Sequence, residues 1–452
     1  MPGGLPGYAG REMAQNYAEL HVDGQHILPA LLADIAAAER VIHLSIFLFF
    51  RDPIGWEVAQ ALASRARAGV VVRVLLNMEK TAMGDPFSTG EKEMMKHDPD
   101  VDYDPTDTRP LCGLLTEAGA LVQDTNIDYD AEVLGADARL RSVATQIREA
   151  IAVDEMHIDH RKLVIIDGRI AWCGGANIGA QYLFHVPFDA DKDAREEGQE
   201  RKLARLPEPW WKWHDSLTRF EGPVVLELDA VFHDRWVLDG GADYPALSAP
   251  PGEGAPRGHA VQRAVLFCNE PDDQPNGVRE LYLRLIREAR SSIFIENPYL
   301  YHPQIVTALC EAKAATPLLS VVLIVPAGRH NDNSFSQDAQ EHEYQRYLDA
   351  GIEVYEYRNH FNHLKMAVFD ERYSIHGSTN LNCRSLENDK DFELVVFVDD
   401  PPFAREVLHS VREVDVPRSR RIEAADLHDG LTGLRRRVRD PRTLALLAKR
   451  ML

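Results

Sequence analysis

Two stretches of the chain repeat one pattern, HRKLVIIDGRIAWCGGANIG at residues 160–179 and HLKMAVFDERYSIHGSTNLN at residues 363–382. Counted from its first histidine, each copy has Lys at +2, Asp at +7, Gly at +14 and Asn at +17. The matched residues are His160 and His363, Lys162 and Lys365, Asp167 and Asp370, Gly174 and Gly377, and Asn177 and Asn380. A single His-x-Lys carries no information, but five matched positions ahead of an apolar strand indicate an internal duplication.

Alternating helices and strands surround each copy. Apolar spacing predicts helices at 26–40 and 55–68 and strands at 41–49 and 70–76 in the first half. It predicts helices at 277–290, 303–314 and 339–350 and strands at 292–297, 320–325 and 352–357 in the second half. This order indicates an α/β fold with buried, largely parallel strands. The duplication predicts two similar mixed-sheet lobes with flanking helices, related by a pseudo-twofold axis, with the active site at the lobe interface.

The linker between the lobes is predicted near residues 245–260, because SAPPGEGAPRG in this region is rich in Pro and Gly. We therefore expect an N-terminal lobe at 1–245, a C-terminal lobe at 261–415 and a basic tail at 416–452. The first lobe carries two additional polar stretches, 77–110 and 124–156. Insertions beside a motif can form a lid or a substrate wall, or can be inert.

The spacing of the motif has a chemical consequence. His and Lys two residues apart on a strand point to the same face, and a Gly-x-x-Asn turn brings the backbone close and supplies an amide donor. If the halves pack symmetrically, two His, two Lys and two Asn form a cation-rich pocket of phosphate size. One imidazole can then attack phosphorus while the other protonates the leaving oxygen.

A metal site is the alternative for these histidines. His157 and His360 each lie three residues before a motif histidine. The adjacent lysines oppose a bound cation, and no carboxylate cluster accompanies the pair. Since the lysines supply the positive charge, the sequence predicts no metal and no cofactor.

The two motifs resemble those of the phospholipase D superfamily, and the resemblance covers roughly residues 20–400. GGANIGAQYL after the first motif, and WHDSLTRFEGP at 213–223, are similar to bacterial cardiolipin synthases and related phospholipases D. The continuation GSTNLNCRSLENDKDFE of the second motif looks like the phospholipase D pattern. It is two residues longer than the usual cardiolipin synthase ending. SIFIENPYL at 292–300 resembles the strand that opens the second half of phospholipases D.

This resemblance implies roles for the motif residues. His160 is implied as the nucleophile, and His363 as the general acid and later the base. The residues implied to hold phosphate oxygens are Lys162, Lys365, Asn177 and Asn380. An acid from the opposite half is implied to orient each imidazole: Asp215 for His363, and Asp391 or Glu393 for His160. The supporting residues of the motif are Asp167, Asp370, Gly174, Gly175, Gly377 and Ser378, of which the two aspartates are expected to anchor strand ends.

The resemblance implies a phospholipase D-type phosphodiesterase or phosphatidyltransferase that cleaves or exchanges a phospholipid headgroup through a phosphohistidine. A cardiolipin synthase is the first alternative, and a nuclease or other non-lipid phosphodiesterase is the weaker one. A net charge of −21 argues against nucleic acid as a partner. Two complete motifs in one chain make a monomer sufficient for the active site. Water and an alcohol give hydrolysis and transfer from the same intermediate, and the sequence leaves both open.

The predicted location is cytoplasmic. The five cysteines are scattered with no CxxC pair, and the N-terminus lacks the apolar stretch of a signal peptide. The apolar run at 41–50 spans ten residues, against about 20 for a membrane span. Residues 416–452 carry ten Lys and Arg against four Asp and Glu, and predict peripheral contact with anionic lipid. A solvated helix packed on the body is the alternative for this tail.

Overall fold

The structure, a computed structural model, describes residues 15–78, 108–125, 158–185, 212–248, 255–269, 276–327, 334–358, 360–387 and 391–427. Most of the two predicted insertions, His157 and the basic tail beyond residue 427 lie outside these segments. Within the described segments, no helix combines the length and the apolar character needed to cross a bilayer.

The first lobe is built on an eight-stranded mixed sheet. Its elements are β1 (Asn16–Val22), α1 (Gly24–Ala37), β2 (Val41–Ile46), α2 (Pro53–Arg67), β3 (Val71–Leu76), α3 (Arg109–Glu117), β4 (Leu121–Asp124), β5 (Ile158–Asp159), β6 (Leu163–Ile166), β7 (Ile170–Gly174), β8 (Ser216–Glu221), α4 (Val224–Leu238) and β9 (His259–Val261). The strand order is β4-β3-β2-β6-β7-β8-β1-β9, and β5 lies outside this sheet.

The second lobe repeats this arrangement. Its elements are β10 (Arg263–Asn269), α5 (Gly277–Glu288), β11 (Ser292–Glu296), α6 (Pro303–Ala315), β12 (Ser320–Pro326), α7 (Ser334–Asp349), β13 (Glu353–Tyr357), β14 (Met366–Phe369), β15 (Tyr373–Gly377), α8 (Cys383–Leu386), β16 (Asp391–Asp399), α9 (Pro401–Ser410), α10 (Arg412–Asp415), β17 (Ser419–Arg421) and a short 3-10 turn (Ala424–Asp426). The strand order is β10-β16-β15-β14-β11-β12-β13-β17.

The two sheets confirm the prediction of similar mixed-sheet lobes. Without the added edge strands β9 and β17, β4-β3-β2-β6-β7-β8-β1 corresponds to β13-β12-β11-β14-β15-β16-β10. The expectation of largely parallel strands was wrong. Among the described strands, the neighbours within β2-β3-β4 and within β11-β12-β13 are parallel, as is the short β5-β16 pair, and the other ladders are antiparallel. In each lobe the two motif strands, β6 and β7 or β14 and β15, form a hairpin, and the strands of a hairpin are necessarily antiparallel.

The predicted helices and strands of both halves are present with shifted ends. Asp52 begins α2 by accepting a hydrogen bond from the Gly55 amide at 2.8 Å, and Pro53 occupies its first turn. The largest shift is in α7, which begins at residue 334 rather than 339, and the strand predicted at 41–49 ends at Ile46. Because β9 pairs with β1 and β17 with β13, we propose lobe boundaries near residues 262 and 427.

The lobes share a core. Helices α1, α2 and α3 cover the outer face of the first sheet, and α5, α6 and α7 cover that of the second. The inner faces contribute to one buried cluster, in which Ile165 of β6 and Val368 of β14 join Phe232 of α4 and Phe403 of α9. Burial of this apolar surface favours association of the two inner faces and fixes how the motif strands meet.

Backbone pairing also links the lobes near the motif histidines. Ile158 and Asp159 of β5 pair in parallel with Asp391 and Phe392 of β16, which belongs to the second lobe. His214, just before β8, forms an isolated bridge with Asn362 of the second lobe. Each motif histidine therefore follows a segment that is hydrogen-bonded to the opposite lobe.

The motif aspartates anchor the strands beside them. Asp167 has φ 57° and accepts from the amides of residues 39, 40 and 41 at 2.7–2.8 Å, where β2 begins. Asp370 has φ 52° and accepts from the amides of residues 290, 291 and 292, where β11 begins. In both lobes this aspartate ties the turn of the motif hairpin to the start of the central strand.

We expect Asp370→Ala to lower the free energy of unfolding by about 1–2 kcal/mol, because three backbone amides and the Ser291 hydroxyl lose their acceptor. Asp370→Asn, which keeps one acceptor oxygen, should have a smaller effect. Urea denaturation at pH 7 measures both. The control is Glu311→Ala, an exposed side chain on α6 that should change stability by less than about 0.5 kcal/mol. Equal effects of Asp370→Ala and Glu311→Ala would contradict the anchoring role.

Candidate active site

The first motif places its histidine between the lobes. The His160 amide donates to Phe392 O of β16 at 3.1 Å, so the backbone at the histidine is held by the second lobe. Lys162 follows on the same side, and its Nζ donates to His160 O at 2.5 Å. Both side chains are buried.

The second motif repeats this geometry from the other side. The His363 amide donates to His214 O of the first lobe at 2.8 Å. Lys365 Nζ donates to His363 O at 2.7 Å and lies 3.0 Å from His363 Nε2. His160, Lys162 and Lys365 are all close enough to His363 that their charges lower its pKa. The structure thus brings both His–Lys pairs into one site.

An acid from the opposite lobe contacts each motif histidine. His160 Nδ1 lies 2.9 Å from Glu393 Oε1, and His363 Nδ1 lies 2.7 Å from Asp215 Oδ2. Both contacts are buried. A carboxylate at Nδ1 holds the proton on that nitrogen and leaves Nε2 to face a substrate.

Of the two acids considered for His160, Glu393 makes the contact. Asp391 instead pairs with Arg384 NH2 at 2.8 Å. The strand registers explain this outcome, because Gly174 lies opposite Leu217 and its counterpart Gly377 lies opposite Val395. Two residues before each partner stand Asp215 and Glu393, so these two acids occupy equivalent places in the two lobes.

The two acids differ in how they are held. Glu393 accepts from the Ser385 hydroxyl at 2.6 Å and from the Ser378 hydroxyl. Asp215 accepts from the Ser216 amide at 2.8 Å. The first-lobe counterpart of Ser378 is Gly175, where an added Cβ would lie 2.2 Å from Asp215 Oδ1. Gly175 therefore leaves room for Asp215, whereas Ser378 donates to Glu393.

Burial and the positive charges set the protonation of the bases. Burial and the Lys162 ammonium lower the pKa of His160 to about 4. Burial, with Lys365 and Lys162, lowers the pKa of His363 well below 6.5. Burial and Lys365 lower the pKa of Lys162 to about 7, although Glu393 opposes this shift. Near neutral pH both imidazoles are therefore uncharged and able to accept a proton.

The acids respond in opposite directions. Burial alone would raise the pKa of Glu393, but His160, Lys162 and the Ser378 hydroxyl hold it below its ordinary value. At Asp215 burial prevails and raises the pKa to about 7. The acid beside His160 is therefore ionised near neutral pH, while the acid beside His363 is close to half-protonated.

The asparagines and glycines of the motif shape the pocket. Asn177 Oδ1 accepts from the backbone amide of Leu48 at 3.1 Å, which directs its NH2 group away from the segment that follows β2. Asn380 is buried, and its Oδ1 has no hydrogen-bond partner among the residues that the structure describes. At Gly174 and Gly377 an added Cβ would lie 2.2–2.3 Å from a carbonyl oxygen of the next strand. Both glycines are needed for this close approach.

Aromatic rings surround the histidines. The Phe47 ring lies edge-on to His160 at 5.3 Å. Tyr182, Trp213 and Phe361 lie 5.2–5.6 Å from the ring of His363. These rings limit the access of water to the imidazoles. Tyr182, Trp213 and Ser385 lie in stretches that resemble the family, but the sequence assigned them no contact with the histidines or their acids. It did not indicate Phe47 or Phe361, which reach the site through contacts distant in sequence.

A family model described as "Cardiolipin synthase, PLD-like domain" matches residues 31–187 and 282–414, which together are well over half of the chain. The chain belongs to the phospholipase D superfamily. It is a phospholipase D superfamily enzyme, as the sequence predicted. The matched residues include both motifs.

Curated relatives and a solved structure resemble the chain over most of its length. The cardiolipin synthase of Clostridium perfringens is 23% identical over 389 residues, covering 85% of this chain and 67% of that protein. The major cardiolipin synthase of Bacillus subtilis is 25% identical over 401 residues, covering 88% and 68%. The chain thus spans about two thirds of the length of these relatives. The phosphatidylserine synthase of Haemophilus influenzae has the same fold, with a TM-score of 0.59 at 14% identity over 99% of this chain and 94% of that one.

We expect Gly175→Ala to reduce kcat by about 100-fold or more. The new Cβ would displace Asp215 from His363, and misplacing a catalytic group by about 1 Å costs on this order. Gly113→Ala on α3, where an added Cβ meets nothing within 4 Å, is the matched control. Steady-state kinetics with a soluble short-chain phospholipid measures both. Unchanged kcat in folded Gly175→Ala would contradict the orienting role of Asp215.

The kcat/KM of the free enzyme should follow a bell-shaped pH profile. The low-pH limb should lie near pH 4, because protonated His160 cannot attack. The high-pH limb should lie near pH 7, because Lys162 loses the charge that we expect to hold the phosphate. The measurement uses a soluble substrate from about pH 3 to 10, with circular dichroism to check folding. Constant kcat/KM from pH 6 to 10 would contradict the part assigned to Lys162.

Proposed function

We propose that the chain is a phosphatidyltransferase of the cardiolipin synthase type. It moves the phosphatidyl group of one phosphatidylglycerol through a phosphohistidine to the hydroxyl of a second. The observation that carries this proposal is the pair of equivalent His–Lys sites, each completed by an acid of the other lobe. The curated relatives named above are cardiolipin synthases, which favours this alternative over the general phospholipase D reading.

The first step is attack on phosphorus. His160 is held at Nδ1 by ionised Glu393, so its Nε2 carries the lone pair that attacks. We propose that four side chains hold the phosphoryl oxygens, where negative charge develops. They are the ammonium groups of Lys162 and Lys365 and the side-chain amides of Asn177 and Asn380. The P–O bond to the leaving glycerol breaks as the N–P bond forms.

The proton for the leaving oxygen is proposed to come from His363. Its pKa is low in the free site, but the negative charge of a bound phosphodiester favours the imidazolium. Asp215 then stabilises the charged ring. His363 Nε2 gives its proton to the glycerol oxygen, and the uncharged ring is left as a base.

The second step reverses these roles. His363 removes the proton from the hydroxyl of the second phosphatidylglycerol, whose oxygen attacks phosphorus and releases His160. Water in place of this alcohol gives hydrolysis. The aromatic rings around both histidines support transfer, since apolar surroundings favour a lipid alcohol over water as the acceptor.

The difference between the acids supports His160 as the nucleophile. An ionised partner at Nδ1 makes Nε2 more nucleophilic and stabilises the phosphohistidine. The half-protonated Asp215 suits a histidine that must exchange protons. The family resemblance implied the same order from sequence alone.

Membrane contact is part of this proposal, because the substrate sits in a bilayer. Three tryptophans stand close together before β8, at residues 210, 211 and 213. Trp213 is buried, with its ring centroid 4.6 Å from that of Phe361, and so packs in the core. Trp210, Trp211 and the basic stretch beyond residue 427 lie outside the described segments. We propose that the basic stretch makes a peripheral contact, with the enzyme acting as a monomer in the cytoplasm.

Incubation with phosphatidylglycerol, followed by mass spectrometry of the lipids, tests the proposed reaction. We expect cardiolipin and free glycerol in equal amounts, with little phosphatidic acid. A parallel incubation with phosphatidylcholine, with and without ethanol, measures headgroup exchange. Phosphatidic acid as the main product from both lipids would mean that the enzyme is a hydrolase and would contradict transfer.

We expect His160→Ala and His160→Asn to reduce turnover by at least about 10⁴-fold and to accumulate no phosphoenzyme, because neither residue can attack phosphorus. His409→Ala, an exposed histidine on α9, is the control and should keep full activity. Acid-quenched enzyme is analysed by peptide mass spectrometry for phosphohistidine. A phosphohistidine on His363 in the His160 variants would show that the roles of the halves are reversed.

A further inference from the structure

A second group of buried ionisable side chains lies beside the catalytic site. His214, next to Asp215 in the chain, lies among three carboxylates. Its Nδ1 is 2.7 Å from Asp23 Oδ1, and its Nε2 is 3.0 Å from Asp415 Oδ2 and 3.7 Å from Glu296 Oε1. Glu296 and Asp415 are fully buried, and Asp23 is 7% exposed. None of these side chains takes part in the proposed chemistry.

The geometry of this group is that of a coordination site. One nitrogen of His214 and one oxygen each of Glu296 and Asp415 lie within 4.8 Å of one another. Asp23 holds the opposite nitrogen of the ring and so directs Nε2 toward the two carboxylates. A carboxylate behind a ligating imidazole is the usual arrangement at protein metal sites, because it fixes the tautomer and the ring orientation.

Two oxygens of the group lack donors. Glu296 Oε2 and Asp415 Oδ1 are shielded from solvent and accept no hydrogen bond from the described residues. The other oxygen of each carboxylate has a partner. The side-chain Nδ2 of Asn362 donates to Glu296 Oε1 at 2.6 Å, and His214 Nε2 lies 3.0 Å from Asp415 Oδ2. Arg418 NH1 is 3.8 Å from Asp415 Oδ1, which is beyond hydrogen-bond distance. Buried carboxylate oxygens without donors are costly, and a metal ion satisfies them.

The charge of the group also favours a divalent ion. Asp23, Glu296 and Asp415 carry three negative charges when ionised, and Arg418 at the edge supplies one positive charge. A protonated His214 would leave one excess negative charge, and since burial and Asp415 raise the pKa of Glu296, a second proton there is the alternative to a metal. A divalent cation bound to the neutral imidazole would balance it. Uncompensated charge is strongly disfavoured in a buried site.

We propose that His214 Nε2, Glu296 and Asp415 bind a divalent transition-metal ion. One imidazole with two carboxylates is a donor set that suits Zn²⁺ or Mn²⁺. The residues come from the segment before β8, from the end of β11 and from α10, so the ion would join the two lobes. Because the His363 amide donates to His214 O, it would also stiffen the backbone that holds the catalytic histidine.

This site is separate from the metal site that was considered for the motif histidines. The sequence predicted no metal because Lys162 and Lys365 oppose a cation next to His160 and His363. The proposed ion uses none of those residues. Its role is structural, and the phosphoryl transfer proposed above does not depend on it.

The test uses the untagged full-length chain. The protein is stripped with a chelator, dialysed, reloaded with ZnCl₂ or MnCl₂ and freed of excess metal by gel filtration. Its metal content is then measured by inductively coupled plasma mass spectrometry. We expect one equivalent per chain, and at least a tenfold weaker metal affinity in Glu296→Gln and Asp415→Asn.

Two control variants make the result specific. Glu413→Gln removes an exposed acid two residues from Asp415 on the same helix and should bind metal as the native chain does. Cys383→Ser tests the second group of potential ligands in the described residues, His302, Cys383 and Glu387. It should also leave the stoichiometry at one equivalent.

X-ray absorption of the reloaded native chain decides the outcome if the acid variants do not fold. Nitrogen and oxygen ligands with a single imidazole would support the site. A sulfur ligand, loss of metal in Cys383→Ser, or full metal content in both folded acid variants would overturn it. A native chain that retains no metal would also overturn it, and the cluster would then be a proton-balanced set of carboxylates. None of these outcomes decides the lipid assay, so failure of the metal site and failure of the proposed function can be told apart.

Discussion

The hydrogen bond from each motif histidine to an acid of the opposite lobe is the interaction on which the site depends. His160 meets Glu393 and His363 meets Asp215, so neither lobe contains a complete pair. The fold holds the two lobes in the position that these contacts require. β5 pairs with β16 just before His160, and the inner faces of both sheets share one buried core. A change that loosens the lobe interface would separate both histidines from their acids at once.

The duplicated fold is symmetric in its backbone and asymmetric in its chemistry. Equivalent strand positions hold a glutamate that receives two serine hydroxyls and an aspartate that receives a backbone amide. Part of the difference lies at the position where the first lobe has Gly175 and the second has Ser378, and Ser385 adds a second hydroxyl at Glu393. The Ser378 hydroxyl favours the ionised form of Glu393. Gly175 offers no such donor to Asp215, and burial raises the pKa of Asp215. Two copies of one motif can therefore take different parts in one reaction.

Fixed spacing made much of the site predictable from sequence. The His, Lys, Asp and Asn positions recur at one offset, and strand alternation places His and Lys on one face. The choice between Asp391 and Glu393 was not predictable, because a longer connection before β8 changes the offset between the lobes. Only the strand registers show that Asp215 and Glu393 are equivalent. The antiparallel half of each sheet was missed for a related reason, since apolar spacing reports burial and not strand direction.

A covalent phosphohistidine in a site shared by two lobes has a direct consequence for the stereochemistry at phosphorus. A substrate with a chiral phosphorothioate of known configuration would be transferred to an alcohol, and the configuration of the product determined by ³¹P NMR. Attack by His160 followed by attack of the alcohol gives two in-line displacements, so we expect overall retention of configuration. Inversion would mean a single displacement without a histidine intermediate, and would contradict it.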